Sequence, residues 1–329
     1  MKTRVLAAAV STVVLTGTLS GCMTVHGQNA VVPATTEAEA QKVLDGYVST
    51  ANKALAQHDL KLNATVERGA LGEGSQAYIR TLRALDPERK QTPQPVKVKD
   101  SKFHIPQQAG WPKFFVVDTA SNVEQNADSG ENRLLLAFTR QSVDERWKAS
   151  YQAVVAAGDV PEFAEDEDGH ADDVPMNEDG GLITAPGELS KAYTSYLGSG
   201  KGDFADGPQT TGKREKRAKV KPRKGARTEF ADLAANNKIY APFALRTKSG
   251  DALAFFTMHQ HTKQTVAPNI GIRPPVRPGA KALLEGEAKV SLTEVFVLQQ
   301  LVRVPTVENK SNGIVFLAQT AQRTAAKGE

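Results

Sequence analysis

The chain has 329 residues, 40% of them hydrophobic and 24% charged, with 41 Lys+Arg against 37 Asp+Glu, a formal net charge of +4 and a single Cys. One Cys excludes a disulfide scaffold, near-balanced charge excludes a disordered polyelectrolyte, and 26 Gly with 17 Pro exclude a collagen. An aromatic content of 6% and a mean hydropathy of −0.38 belong to a globular protein.

At the amino terminus Lys2 and Arg4 precede an uncharged run from Val5 to Thr18. The run has the length of the apolar core of an export signal and falls short of the roughly 20 residues that span a bilayer as a helix. It ends in Leu19-Ser20-Gly21-Cys22: a branched apolar residue three before the Cys, two small residues, then the one thiol of the chain. This pattern resembles the lipobox of bacterial lipoproteins, in which the Cys thiol receives a diacylglycerol and the signal is cut just before it. The resemblance implies a signal peptide over 1–21, lipidation at Cys22, and an address on the extracytoplasmic face of the cell membrane. Two acyl chains suffice for stable anchoring, at about 0.8 kcal/mol per buried CH₂, where a single chain binds only marginally. Cleavage there leaves 308 residues with 39 Lys+Arg against 37 Asp+Glu, so the pI of about 9.0 says little about partners. With its thiol lipidated the chain has no disulfide available, and folding rests on a hydrophobic core.

Residues 22–34 lack periodicity and read as a lipidated tether. The body is expected to divide into a first α+β domain over 35–160 and a second over 184–329. Thr36-Glu37-Ala38-Glu39 has the form of a capping box, and Ala40, Val43, Leu44, Tyr47, Val48, Ala51 and Leu55 follow at three- and four-residue spacing, which predicts a helix over 36–57. A second helix is predicted from Ser75 to Leu85, stopped by Asp86-Pro87. Segments 114–119, 133–140 and 147–155, rich in Phe, Val and Leu between turn residues, read as strands.

Between the halves, Glu162 to Asp179 carries nine acidic side chains and no Lys or Arg, and 161–183 reads as a solvated acidic linker. Beyond it, Pro186 suits a first helical position and Leu189, Ala192, Tyr193, Tyr196 and Leu197 form a stripe that ends near Gly198. Lys213 to Arg227 carries nine basic side chains opposed only by Glu215 and reads as a long basic loop. A short helix is expected over 228–236, and strands over 243–248, 252–261, 290–304 and 313–321.

The fold class is therefore α+β: two domains, each with amino-terminal helices packed on a curved antiparallel sheet. Sparse matches suggest a tandem duplication, against two unrelated domains or a single larger one. Lys42, Tyr47 and Val48 align with Lys191, Tyr196 and Leu197, Pro112-Lys113-Phe114 with Ala241-Pro242-Phe243, and Leu136–Thr139 with Leu253–Thr257. On element order alone the halves resemble cystatin-like or nuclear transport factor 2-like domains. The chain as a whole is similar to the uncharacterised lipoproteins of actinobacteria, a likeness that implies an address and no activity.

Chemistry-bearing patterns are few. Asp166-Glu167-Asp168-Gly169 begins like a calcium loop and then fails, with Ala171 where Gly is needed and Asn177 where a bidentate Glu is needed. His259 and His261 share a strand face without a third ligand nearby, and His104 lies in a loop beside Pro106. No Ser stands in G-x-S-x-G, no S-x-x-K or H-E-x-x-H is present, and Gly198-Ser199-Gly200-Lys201-Gly202 lacks P-loop spacing. No catalytic, cofactor-binding or metal residue is assigned. The basic run has no aromatic residues to stack on bases, so nucleic acid is not expected; phospholipid head groups or anionic wall polymers suit it better. Ile272 to Pro278 reads as a stiff extended connector or a docking segment. The expected function is that of a non-enzymatic binding or scaffolding module, bound to the membrane through its lipid and meeting an envelope protein or wall polymer. The alternative is an enzyme or small-ligand binder using a pocket in a curved sheet.

Overall fold

The computed structural model describes residues 30–91, 93–123, 131–220, 225–267 and 271–329. The signal sequence and Cys22 lie outside them. A short strand β1 (Val32–Pro33) leads into α1 (Glu37–Ala56), where the Thr36 hydroxyl accepts the Glu39 amide at 3.2 Å as the capping box requires. Asp59 caps α2 (Leu60–Ala64) by accepting the amides of Lys61 and Leu62. Helix α3 (Gly69–Leu85) stops before Asp86-Pro87 as expected, and begins six residues earlier than Ser75 because Ala70, Leu71, Gly72 and Gly74 are buried against neighbouring layers. Strands β2 (Val98–His104), β3 (Gln107–Gln108), β4 (Lys113–Ser121), β5 (Asn132–Arg140) and β6 (Lys148–Ala156) follow. Of these, β2, β4, β5 and β6 form an antiparallel meander in that order, and β3 pairs with β1.

The second half opens with α4 (Leu189–Ser199), closed by Gly200 in the left-handed conformation at φ 76°, a geometry that suits a residue without Cβ. Helix α5 (Thr211–Ala218) and strands β7 (Ala226–Ala234), β8 (Phe243–Arg246) and β9 (Ala252–Val266) come next. Helix α6 (Pro278–Lys281), β10 (Leu284–Gly286), β11 (Ser291–Val304) and β12 (Val315–Gly328) complete the chain. The second sheet runs β10-β12-β11-β9-β7, with β8 also on β9. Two expectations are corrected here. The stretch expected as a helix over 228–236 is strand as far as Ala234, because β7 pairs with β9 from Ala226↔Val266 to Ala234↔Met258. The basic run 213–227 is not a loop throughout: its first part is α5 and its end enters β7.

The layers stack as helices, sheet, sheet, helix. One face of the first sheet (Phe115, Val117, Leu134, Leu136, Phe138) packs on α1 and α3 through Leu44, Tyr47 and Leu71. The outer face of the second sheet (Ala254, Phe256, Met258, Leu298, Val302) packs on Leu189, Tyr193, Tyr196 and Leu197 of α4. The remaining faces meet each other: Phe114, Val116, Leu135, Ala137 and Tyr151 share one core with Phe243, Leu245, Leu253, Phe255, Val297 and Leu301. A bulge makes this possible in β6, where Ala137 pairs with Tyr151 but Phe138 pairs with Ala149. The extra residue, Ser150, turns Trp147 and Ala149 towards the helices and Tyr151 and Ala153 towards the other sheet.

The acidic segment is not a solvated linker. Phe163, Ala171, Val174 and Leu182 are buried, Phe163 bridges to Thr247 and Asp173 to Leu245, and the Val174 amide donates to the Ala244 carbonyl at 3.0 Å. Apolar residues spaced through the acidic run supply the anchors, and most of the carboxylates between them face outward, Asp173 excepted. One alignment offered for a duplication falls out of phase: Leu136 faces the helices whereas Leu253 faces the inter-sheet core. A one-residue offset inverts every side chain of a strand, so that match carries no weight.

Candidate functional site

Strands β4 and β8 each begin after a proline, Pro112 and Pro242. Proline has no amide to donate, so ladder pairing is not carried through it. The two strands thereby start side by side in facing sheets, with Phe114 and Phe243 packed at 4.7 Å between ring centroids. Beside this ring pair opens a cleft of about 720 Å³ with a mostly apolar lining. Its walls are Gln107 and Gln108 of β3, Asp173 to Met176 of the acidic segment, and Asn237, Lys238 and Ala241 of the β7–β8 connection, with Val31 from the start of the described chain.

Gln108 organises the polar part of the wall. Its Nε2 donates to Asp173 Oδ2 at 3.1 Å, its Oε1 accepts the Phe114 amide at 2.9 Å, and its backbone carbonyl accepts Lys113 Nζ at 2.5 Å. Lys113 Nζ donates a second bond to the Val32 carbonyl at 3.3 Å, which ties β1 to the cleft. Burial pushes the Asp173 carboxyl above its ordinary range, partly offset by the Gln108 bond. Burial pushes the Lys113 ammonium down, partly offset by the attraction of Asp173. Low dielectric disfavours both charged forms, so the wall offers hydrogen-bonding groups with softened charge. The described residues that line the cleft include no Ser, Thr, Cys or His. The arrangement suits holding a molecule with an apolar body and a polar end.

The residues singled out in the sequence lie elsewhere. His104 packs on Phe163 at 4.1 Å, neither ring nitrogen has a hydrogen-bond partner, and burial brings its pKa down to about 4. His259 Nε2 lies 3.1 Å from Glu73 Oε2, the same oxygen to which the Tyr240 hydroxyl donates at 2.7 Å. Burial raises the Glu73 carboxyl, but the His259 and Tyr240 bonds outweigh it and hold Glu73 below its usual range. This trio pins α3 to the second sheet, and His259 and His261 do not gather a metal set. Among the described residues, the one group with ligand atoms close enough for a cation is Asp166, Asp168 and His170. Asp166 Oδ1 there accepts the amides of Asp168 and His170, each at 2.9 Å, which explains the turn without an ion.

The basic run is partly consumed within the fold. Arg217 makes two bonds to Asp232, at 2.5 and 2.8 Å, and a third to Gln260 at 2.8 Å, and stacks over Phe230. Arg214 lies over Tyr196 and Lys213 over Tyr193, and burial lowers Lys213 to a pKa of about 8. The cleft residues Gln108 and Asp173 were not singled out in the sequence as site residues. The signal available for them was the pair Pro112-Lys113-Phe114 and Ala241-Pro242-Phe243, which marks both strand starts that flank the site.

No helix among the described residues is long and apolar enough to cross a membrane. No solved structure matches the chain significantly. An uncharacterised lipoprotein of Streptomyces avermitilis is 40% identical over 312 residues, covering 95% of this chain and 92% of its own. An uncharacterised lipoprotein of Streptomyces coelicolor is 40% identical over 319 residues, 97% of this chain and 94% of its own, and another from that organism is 26% identical over 90% of this chain and 83% of its own. Residues 31–328, which span the cleft and every element above, match the family described as a domain of unknown function, DUF8094, and the chain belongs to that family, with lipoproteins of Streptomyces among its relatives.

Proposed function

We propose that this chain is a non-enzymatic binding module of the cell envelope, held on the extracytoplasmic face by a diacylglycerol on Cys22, whose cleft beside Phe114 and Phe243 binds a small molecule with an apolar body. The address rests on the lipobox and on the lipoprotein names of relatives that align over nearly the whole chain. The binding role rests on one observation: a mostly apolar cleft of about 720 Å³ whose wall carries the hydrogen-bonded pair Asp173 and Gln108. That volume lies within the roughly 300–1,000 Å³ typical of small-molecule sites. A pocket within either curved sheet is a weaker reading, because the inner faces of both are filled by the shared core. The cystatin-like or nuclear transport factor 2-like comparison stays a likeness of element order, helices before a sheet that is antiparallel in the first half and antiparallel but for the parallel β10–β12 pair in the second.

Titration of the body, residues 30–329, with dodecanoate tests the ligand. All four hydrophobic clusters lie within these residues. Saturable binding with a raised melting temperature is expected, and Ala241→Trp, which fills the cleft from its rim, should weaken it roughly tenfold, about 1.4 kcal/mol. Equal binding by Ala241→Trp would remove the cleft as the site.

A further inference from the structure

We propose that the mouth of this cleft rests on the bilayer and that the cleft takes one acyl chain of a phospholipid from it. This rests on the ligand reading above and names the ligand and its source.

The rim supplies the first argument. Val31, which lines the cleft, is 61% exposed, and Ile239, between the lining residues Lys238 and Ala241, is 62% exposed. Trp111, next to the lining Pro112, is 42% exposed, and Val143, two residues from the lining Gln141, is 65% exposed. These are four of the eleven exposed large apolar side chains among the described residues, and they belong to the segments that form one opening. Scattered apolar side chains need no explanation, but a group around an apolar opening marks an interaction surface.

Charge supplies the second. Lys238 stands in the lining, and the Arg140 guanidinium lies 5.7 Å from the Trp111 ring. A tryptophan among cations is the composition that favours the headgroup level of a membrane, where each Lys or Arg near an anionic surface contributes about 1 kcal/mol.

Reach supplies the third. Val31 stands nine residues after Cys22. Nine residues span at most about 30 Å even when fully extended, so a lipid on Cys22 keeps this side of the body within that distance of the membrane. Tethering makes the encounter intramolecular and raises the effective concentration of the rim at the surface. The cleft then meets acyl chains far more often than any dissolved molecule, and its Asp173–Gln108 pair presents hydrogen-bonded groups beside the apolar lining.

The test uses the mature, lipidated protein in vesicles of phosphatidylethanolamine and phosphatidylglycerol whose acyl chains are brominated. The chain has two Trp, of which Trp147 is buried in the helix-facing core. Bromine should therefore quench Trp111 in Trp147→Phe, and the difference between the wild type and Trp111→Phe gives the same reading if Trp147→Phe does not fold. Native mass spectrometry of protein extracted from these vesicles should show one brominated phospholipid retained per chain. Ala241→Trp should lower that retention roughly tenfold, equivalent to about 1.4 kcal/mol. An unquenched Trp111 overturns the bilayer contact. Retention unchanged in Ala241→Trp, or a retained mass limited to the protein's own anchor, overturns acyl capture. Dodecanoate binding with either of these failures leaves the ligand reading standing and removes the membrane as its source.

Discussion

His104 shows how one side chain can set the acid limit of the fold. Its ring lies 4.1 Å from the Phe163 ring, neither nitrogen has a partner, and burial lowers its pKa from 6.5 to about 4, with Lys102 and Arg133 acting in the same direction and Asp118 opposing. Above pH 6.5 the ring is neutral in both folded and unfolded chains and contributes no slope. Between 6.5 and about 4 the unfolded chain takes up a proton that the folded one refuses, so stability falls as the pH falls. A depression of that size amounts to about 3 kcal/mol lost across the window. Phenylalanine fills the same space beside Phe163 and has no nitrogen to leave unpaired. Urea unfolding of His104→Phe should therefore show stability at pH 7 equal to or above the wild type, and a shallower decline towards pH 4. An identical decline in both chains would show that this ring does not titrate in the way its surroundings require.

At the scale of an element, α5 shows what the sequence could not reveal. Its basic residues read as solvated because charge runs without an apolar stripe have no face to bury. The fold provides a different partner: Asp232 on β7, which together with Gln260 takes up the guanidinium of Arg217. That contact was illegible because Thr228 to Asn236 has helix-favouring Ala, Leu and Glu, whereas pairing with β9 makes it a strand and turns Thr228, Phe230 and Asp232 to one side. Where the period was strong the sequence sufficed, as for α1 and its capping threonine, and for β4, β5 and β6 within a residue or two. The cleft was illegible for another reason: its wall joins residues as far apart as Gln108 and Asp173, and no local pattern encodes that meeting. With side chains 15% and 9% exposed, Arg217 and Asp232 form a nearly buried pair. Arg217→Ala leaves a buried carboxylate without its partner, which should cost about 3 kcal/mol. Asp232→Asn added to it should recover part of that loss, whereas a strictly additive double variant would show that the pair is not coupled.

For the whole molecule the question is how many units unfold. The expected division at 161–183 puts Phe114, Leu135 and Tyr151 in one domain and Phe243, Phe255 and Leu301 in the other, yet these residues share a single core. Polar contacts cross at the same place: the Gln152 amide donates to Gln299 Oε1 at 3.0 Å, and the Thr257 hydroxyl donates to the Tyr151 hydroxyl at 3.0 Å. Separating the sheets would expose the aromatic cluster of Phe114, Tyr151, Phe243 and Phe255 to water, so neither sheet keeps its stability without the other. Cooperative unfolding follows when most of the buried apolar surface is shared in this way. Calorimetry should accordingly record one transition for the body. Phe243→Ala opens a cavity on the seam between the sheets, an effect worth about 3–5 kcal/mol for a large aromatic side chain, and that single transition should move down as a whole. Two transitions, of which Phe243→Ala displaces only the one belonging to residues 184–329, would restore the two-domain division and show the inter-sheet core to be a contact between independently folded units.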